Sequence, residues 1–175
     1  SYHVRELKSL TRYRFSLVQD WARLKSSFAR LCVILFPELE KLVPSLHMAS
    51  VYALLAEFPN AKAISESHLT RLTNLLSEAS KGRYSKDKAI EIRNAAKASI
   101  GSYSEVKSLE LQQTIQLIQM MEEQIAQAEA RINPIVDSLH SPIMTIPGIG
   151  YRMAAIIIAE TGNFANFDKA EKVLA

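Results

Sequence analysis

The run 6-ELKSLTRYRFSLVQDWARLKSSFARLCVILFP-37 decides what kind of fold this chain can have. Leu7, Leu10, Arg14, Leu17, Trp21, Leu24, Phe28, Leu31 and Leu35 recur at alternating steps of three and four, with Arg14 the one basic exception. A helix places side chains at that spacing on one face, so the run reads as a single long helix carrying a heptad seam. It is expected to stop at Phe36, because the ring of Pro37 disfavours a helical residue before it.

The same period returns towards the other end. From Tyr103 to about Leu139, the positions Leu111, Thr114, Ile118, Met121, Ile125, Ala128, Ile132, Ile135 and Leu139 repeat the heptad, with Thr114 the polar interruption. Pro134 lies inside this second helix, where a missing N–H and a ring clash should kink or end it, with a bend at Asn133. Between the two, Pro44, Pro59 and Gly82 divide the chain into three shorter helices near 46–57, 66–80 and 85–99. Ser65 or Ser67 is expected to cap the second of these. Ser85 is a weaker start for the third, because Lys88 stands where a capping box has an acid. Leu69, Leu72, Leu75 and Leu76 give the second short helix an apolar face.

Five glycines and six prolines, gathered at joints, leave little room for many short strands. The expected fold class is therefore all-α: two long heptad-bearing helices forming a coiled coil, a cluster of shorter helices, and a C-terminal element built like a helix-hairpin-helix. Residues 1–140 read as the helical coiled-coil and oligomerisation region, and 141–175 as the start of a further domain. Two helices of about 35 residues each reach about 50 Å at 1.5 Å per residue. Three short helices cannot cover two seams of that length. Either the long helices pair antiparallel within one chain, or each seam meets its copy on another; self-association, as a homodimer or higher oligomer, is the expectation.

A composition of 48% hydrophobic and 22% charged residues is that of a globular chain. The apolar stretches Leu31 to Phe36 and Ala154 to Ala159 fall far short of the roughly 20 residues a bilayer span needs, so no membrane partner is expected. No charged-then-apolar leader opens the chain, and the single Cys32 can form no internal disulfide, which points to a cytoplasmic location. The chain opens on Ser1, and 168-DKAEKVLA-175 begins an apolar-periodic run after an Asp168 cap without a stop signal. It therefore reads as a piece of a longer protein.

Charge is unevenly placed. Arg5, Lys8, Arg12, Arg14, Arg23, Lys25 and Arg30 face only Glu6 and Asp20 in the first thirty residues, whereas 105–129 hold five glutamates against Lys107. The two segments can pair with each other, so the basic run is not by itself a nucleic-acid signature.

Reactive groups do not cluster. His3, His47, His68 and His140 are scattered, with no i, i+4 pair and no cysteine at zinc spacing, so neither a metal nor another cofactor is expected in these residues. Cys32 between Leu31 and Val33 reads as a small buried hydrophobe. Glu38 with Glu40, and Glu122 with Glu123, read as solvated carboxylates on helix surfaces.

One stretch differs. Ile143, Ile146, Pro147, Gly148, Ile149, Gly150 and Ala154 follow the pattern of a helix-hairpin-helix and resemble the hairpins of DNA-repair and recombination proteins. Glycines at 148 and 150 can take φ values closed to other residues and present bare backbone. Ile149 should point back into the hairpin core, and Ala154 should let two helices approach. Gly150 then opens a helix whose free N–H groups and positive dipole end suit a phosphate. Arg152 can add a charge-assisted contact that sets position rather than sequence. The same stretch also reads as a tight turn and a buried helix that only hold a domain together. The candidate nucleic-acid contacts are Gly148, Ile149, Gly150 and Arg152, with Arg5, Lys8 and Arg12 on the first helix.

The stretch from Glu6 to Leu42 with its "LTRYR" of Leu10 to Arg14 and with Leu17 and Val18, then a long coiled-coil segment, then 144-MTIPGIGYRMAAIIIAETGNFANFDKAEKVLA-175, together resemble the middle of insertion-sequence transposases of the IS110 class. The matching features of the second stretch are the Pro147–Gly150 turn, the apolar helix from Ala154 to Ala159, Glu160 with Gly162, and Phe164 with Phe167. That resemblance implies a Ruv-C-like nuclease domain with four acidic Mg²⁺ ligands, then a helical coiled-coil region, then a transposase domain with a nucleophilic serine. It also implies DNA as substrate, oligomeric assembly and a structured guide RNA. The acidic ligands would precede Ser1 and the serine would follow Ala175; Ser138 and Ser141 lie upstream of the turn and do not match the nucleophile's place. These residues alone should therefore neither cut nor join DNA. Two other readings stand beside this one: a helix-hairpin-helix DNA-binding module of a repair protein, and a structural coiled-coil adaptor whose hairpin touches only protein.

Overall fold

The computed structural model describes residues 1–161, and among these every regular element is a helix. Helix α1 covers Tyr2–Leu35 and a 3-10 turn covers Pro37–Leu42; then follow α2 (Ala49–Glu57), α3 (Ala61–Ser65), α4 (Leu69–Ala79), α5 (Lys86–Lys97) and α6 (Glu105–Ser138). A second 3-10 turn, Pro142–Thr145, leads to α7 (Tyr151–Thr161). The all-α expectation holds, and α1 stops one residue before Phe36, where Pro37 instead opens the 3-10 turn. Pro134 does not end the second long helix: α6 continues through it to Ser138.

The short helices depart from expectation in two respects, an added helix and the caps. Residues 61–65 form α3, because Asn60 caps it by accepting from the Ala63 amide at 2.7 Å. Ser65 and Ser67 do not cap α4, since their hydroxyls donate back to the carbonyls of Lys62 and Ile64. His68 stands at that cap without a side-chain bond, and Ser85 holds the cap position of α5 with none either.

The chain divides into two compact units, one of residues Ala22–Gln119 and one of Ser1–Trp21 with Met120 onward. In the unit holding both termini the apolar face of α7 is buried against Leu7, Ile132 and Val136. In the unit of residues 22–119, α3 packs on α5 and α4 packs on both α2 and α5. Phe28 is fully buried, edge-on to Tyr52 at 5.0 Å between ring centres. Cys32 is buried as expected, and burial first, then the charge of Glu40, push its thiol up to about 12, so it stays protonated and inert.

Every seam position of α1 and α6 is buried or half-buried within the single chain. In the unit holding both termini the two helices run antiparallel, with Arg14 bonded to Glu129 and Trp21 to Glu122. The exposed seams that called for a second copy are therefore covered in one molecule. The apolar side chains left exposed on α6 are instead Val106, Leu109, Leu117 and Met120.

Candidate nucleic-acid interface

The approach to α7 is built from local rules. Ser141 caps the 3-10 turn by accepting from the Ile143 amide, and Ile143 is buried beneath it. Ile146, Pro147, Gly148 and Ile149 then form a turn closed by the Ile149 N–H donating to the Ile146 carbonyl at 3.2 Å. Proline at the second place and a φ of +84° at Gly148 make this a type II turn, which a side chain at 148 would strain. Gly150 serves differently. Its φ is not in the left-handed region and a Cβ there would meet nothing within 4 Å, so neither backbone nor space demands glycine. Its carbonyl accepts from the Ala154 amide at 3.0 Å, which makes it the residue from which α7 starts.

On α7, Ala154, Ala155, Ile158 and Ala159 are buried with Leu7, Ile132, Val136 and Ile143, and Ile149 packs against the same cluster. Ala154 thus lies within this cluster, and Ile149 is a packing residue against it. The other face of α7 leaves Tyr151, Arg152, Met153 and Ile156 exposed.

That face borders a cleft of about 760 Å³ which Gly148, Gly150, Arg152 and Arg12 all line. Four of the expected residues therefore come together. Arg5 and Lys8 do not line it; they lie further along α1, exposed and half-buried respectively. Among the lining residues not named as contacts are Arg14, Phe15 and Glu129. Arg14 could have been found as the one basic seam position, since it needs an acid opposite.

That acid is Glu129. One carboxylate oxygen accepts from Arg14 Nε and from Arg152 Nη2, both at 2.9 Å, so it ties α1, α6 and α7 together. Burial alone would raise its pKa, but the hydrogen bonds and charges of the two guanidiniums outweigh burial and hold it below the ordinary 4.5. Because the folded-state value is the lower one, Glu129 stabilises the fold above about pH 4.5, and this contribution is lost as pH falls through its folded value. Glu38 behaves alike: burial raises it, but bonds from the Ser99 hydroxyl and the Ile100 amide prevail. The melting temperature should hold from neutral pH to about 4.5 and decline below it. In Glu129→Gln the decline should be shallower; an identical acid limb in the variant would remove Glu129 from the account.

Three guanidiniums, of Arg12, Arg14 and Arg152, thus face two carboxylates, of Glu129 and Glu160, around the cleft. Among the described residues no group of three or more His, Cys, Asp or Glu side chains is placed to hold a metal.

Fold and cleft together define an all-α chain that sets the start of a helix beside guanidinium groups. Residues 140–175 match the model of the Transposase IS116/IS110/IS902 family. No curated protein matches the chain. Of the matched residues, Gly162, Phe164, Phe167 and Asp168 lie outside those the structure describes. No described helix is long and apolar enough to cross a membrane.

Proposed function

We propose that this part of the transposase serves DNA transposition by holding nucleic-acid phosphates in the cleft lined by Gly148, Gly150, Arg152 and Arg12, and contributes no catalytic group itself. The observation that carries this reading is the convergence of an open helix start with two exposed guanidiniums. The first N–H groups of α7 have no intrahelical acceptor and bear the positive end of its dipole. Arg152 is 65% exposed and pays part of its charge to Glu129; a phosphate can share it because the same carboxylate is also held by Arg14. Lys8 and Arg5 extend the basic surface along α1, about one and two turns before Arg12.

The partners that belong to this reading are DNA, a structured guide RNA and a second copy of the chain, in the cytoplasm. Magnesium would serve an acidic nuclease site elsewhere in the protein. For the second copy the available surface is the exposed stripe on α6. Val106, Leu109, Leu117 and Met120 are spaced symmetrically about Gln113, as an antiparallel pairing about a two-fold axis requires.

Binding of the chain to duplex DNA and to structured RNA, measured against salt, tests the phosphate reading. Arg12→Ala and Arg152→Ala should each flatten the log-log salt slope by about one. A wild type with weak, salt-insensitive affinity, unchanged by both substitutions, would instead identify the turn as purely structural.

A further inference from the structure

A second cavity, of about 650 Å³, lies in the unit of residues 22–119 between the start of α2 and the α4–α5 connection. Its lining includes Met48, Ser50, Lys81 and Arg83, and no carboxylate. Met48 precedes α2 in extended conformation and supplies no side-chain cap, so the opening N–H groups of this nine-residue helix are left without one. Ser50, the second residue of α2, is only 2% exposed, yet its Oγ has no hydrogen-bond partner. A buried hydroxyl in that state is uncommon and asks for an acceptor. The neighbouring hydroxyl of Ser80, by contrast, is taken by the Tyr84 amide at 2.8 Å.

The connection is shaped to bring positive charge here. Lys81 has φ +54° and Gly82 φ +83°, and the Gly82 amide closes back on the Ser77 carbonyl at 2.8 Å. This left-handed pair ends α4 abruptly and sets both Lys81 and Arg83 on the cavity wall. Backbone N–H groups, a donor hydroxyl, an ammonium and a guanidinium then surround one space, and every one of them donates or is positive.

We propose that this cavity binds a phosphate group, with the first amides of α2 and Ser50 Oγ donating to its oxygens and Lys81 and Arg83 balancing its charge. The site is separate from the Gly148–Gly150 turn, and its fate does not depend on that reading.

The test is amide NMR of the whole chain, following Ala49, Ser50 and Val51 during titration with inorganic phosphate and, separately, with an oligonucleotide lacking terminal phosphates. Saturable shifts with both probes assign the site to a nucleic-acid backbone phosphate; shifts with inorganic phosphate alone assign it to a free phosphate or monoester. Lys81→Ala with Arg83→Ala should weaken binding by about tenfold or more, as expected when charge-assisted hydrogen bonds are lost. Ser50→Ala should also weaken it while leaving the melting temperature unchanged or slightly raised, because it removes an unpartnered hydroxyl. No saturable response to either probe, or an affinity indifferent to these substitutions, overturns the proposal.

Discussion

A chain carrying Ile158→Asp is expected to lose the seat of α7 while the unit of residues 22–119 stays folded. Ile158 is fully buried among Leu7, Ile132, Val136 and the alanines of its own helix, so a carboxylate placed there has apolar neighbours throughout that cluster. Burying a charge without a partner costs on the order of 4 kcal/mol or more, a large share of the stability of an ordinary domain. Detaching the helix is the cheaper outcome. Hydrogen exchange should then show the α7 amides unprotected and those of α5 as in the wild type. The salt dependence of DNA binding should fall at least to that of Arg152→Ala, because Arg152 leaves the cleft with α7 while Arg12 stays on α1. Ile156→Asp is the contrasting case, because Ile156 is half-exposed on the opposite face and a carboxylate there stays in water. Equal protection of α7 in wild type and Ile158→Asp would mean that the apolar cluster does not hold this helix.

The second large effect is expected at Gly101. A Cβ built there would lie 2.6 Å from the Leu35 carbonyl oxygen and 3.0 Å from Pro37 Cδ. Neither neighbour yields easily: one is backbone at the end of α1, and the other is a ring that sets the following turn. The Ser102 amide is held to the Ile34 carbonyl at 2.8 Å, and Glu38 accepts from the Ser99 hydroxyl and the Ile100 amide, so the segment has no slack. Gly101→Ala should cost about 3 kcal/mol by forced overpacking. At this chain length that is roughly 6–12 °C in melting temperature. Gly150→Ala is the control, since a methyl group there meets nothing within 4 Å and the backbone needs no left-handed φ. A Gly101→Ala protein that melts with the wild type would show that the end of α1 can retreat from residue 101.

The heptad spacing of Leu7 to Leu35 and Leu111 to Leu139 was enough to read both long helices and their apolar faces, because helical period is a property of neighbours in the chain. Pro147 and Gly148 were legible for the same reason: a fixed proline φ followed by a residue free to take a positive one prescribes a turn locally. The caps were read less well. Ser65 and Ser67 had the right chemistry for capping α4, yet each hydroxyl bonded its own preceding turn, a competition that spacing does not reveal. Of the cleft, Gly148, Gly150, Arg12 and Arg152 were named in advance, whereas Glu129 was one glutamate among five on an acidic helix.

By itself, then, the order of residues determined an all-α chain, its two long helices, the stop at Pro37 and the turn before α7, since each follows from sterics and periodicity within a few residues. What covers the seams was a tertiary decision. Antiparallel pairing of α1 and α6 in one chain brings together residues 115 apart, as with Arg14 and Glu129, and removes the need for a second copy at those faces. Likewise, only packing decided that one carboxylate holds two guanidiniums beside the start of α7. The position of a charge in sequence says what it can bond, and the fold alone says which partner comes within reach.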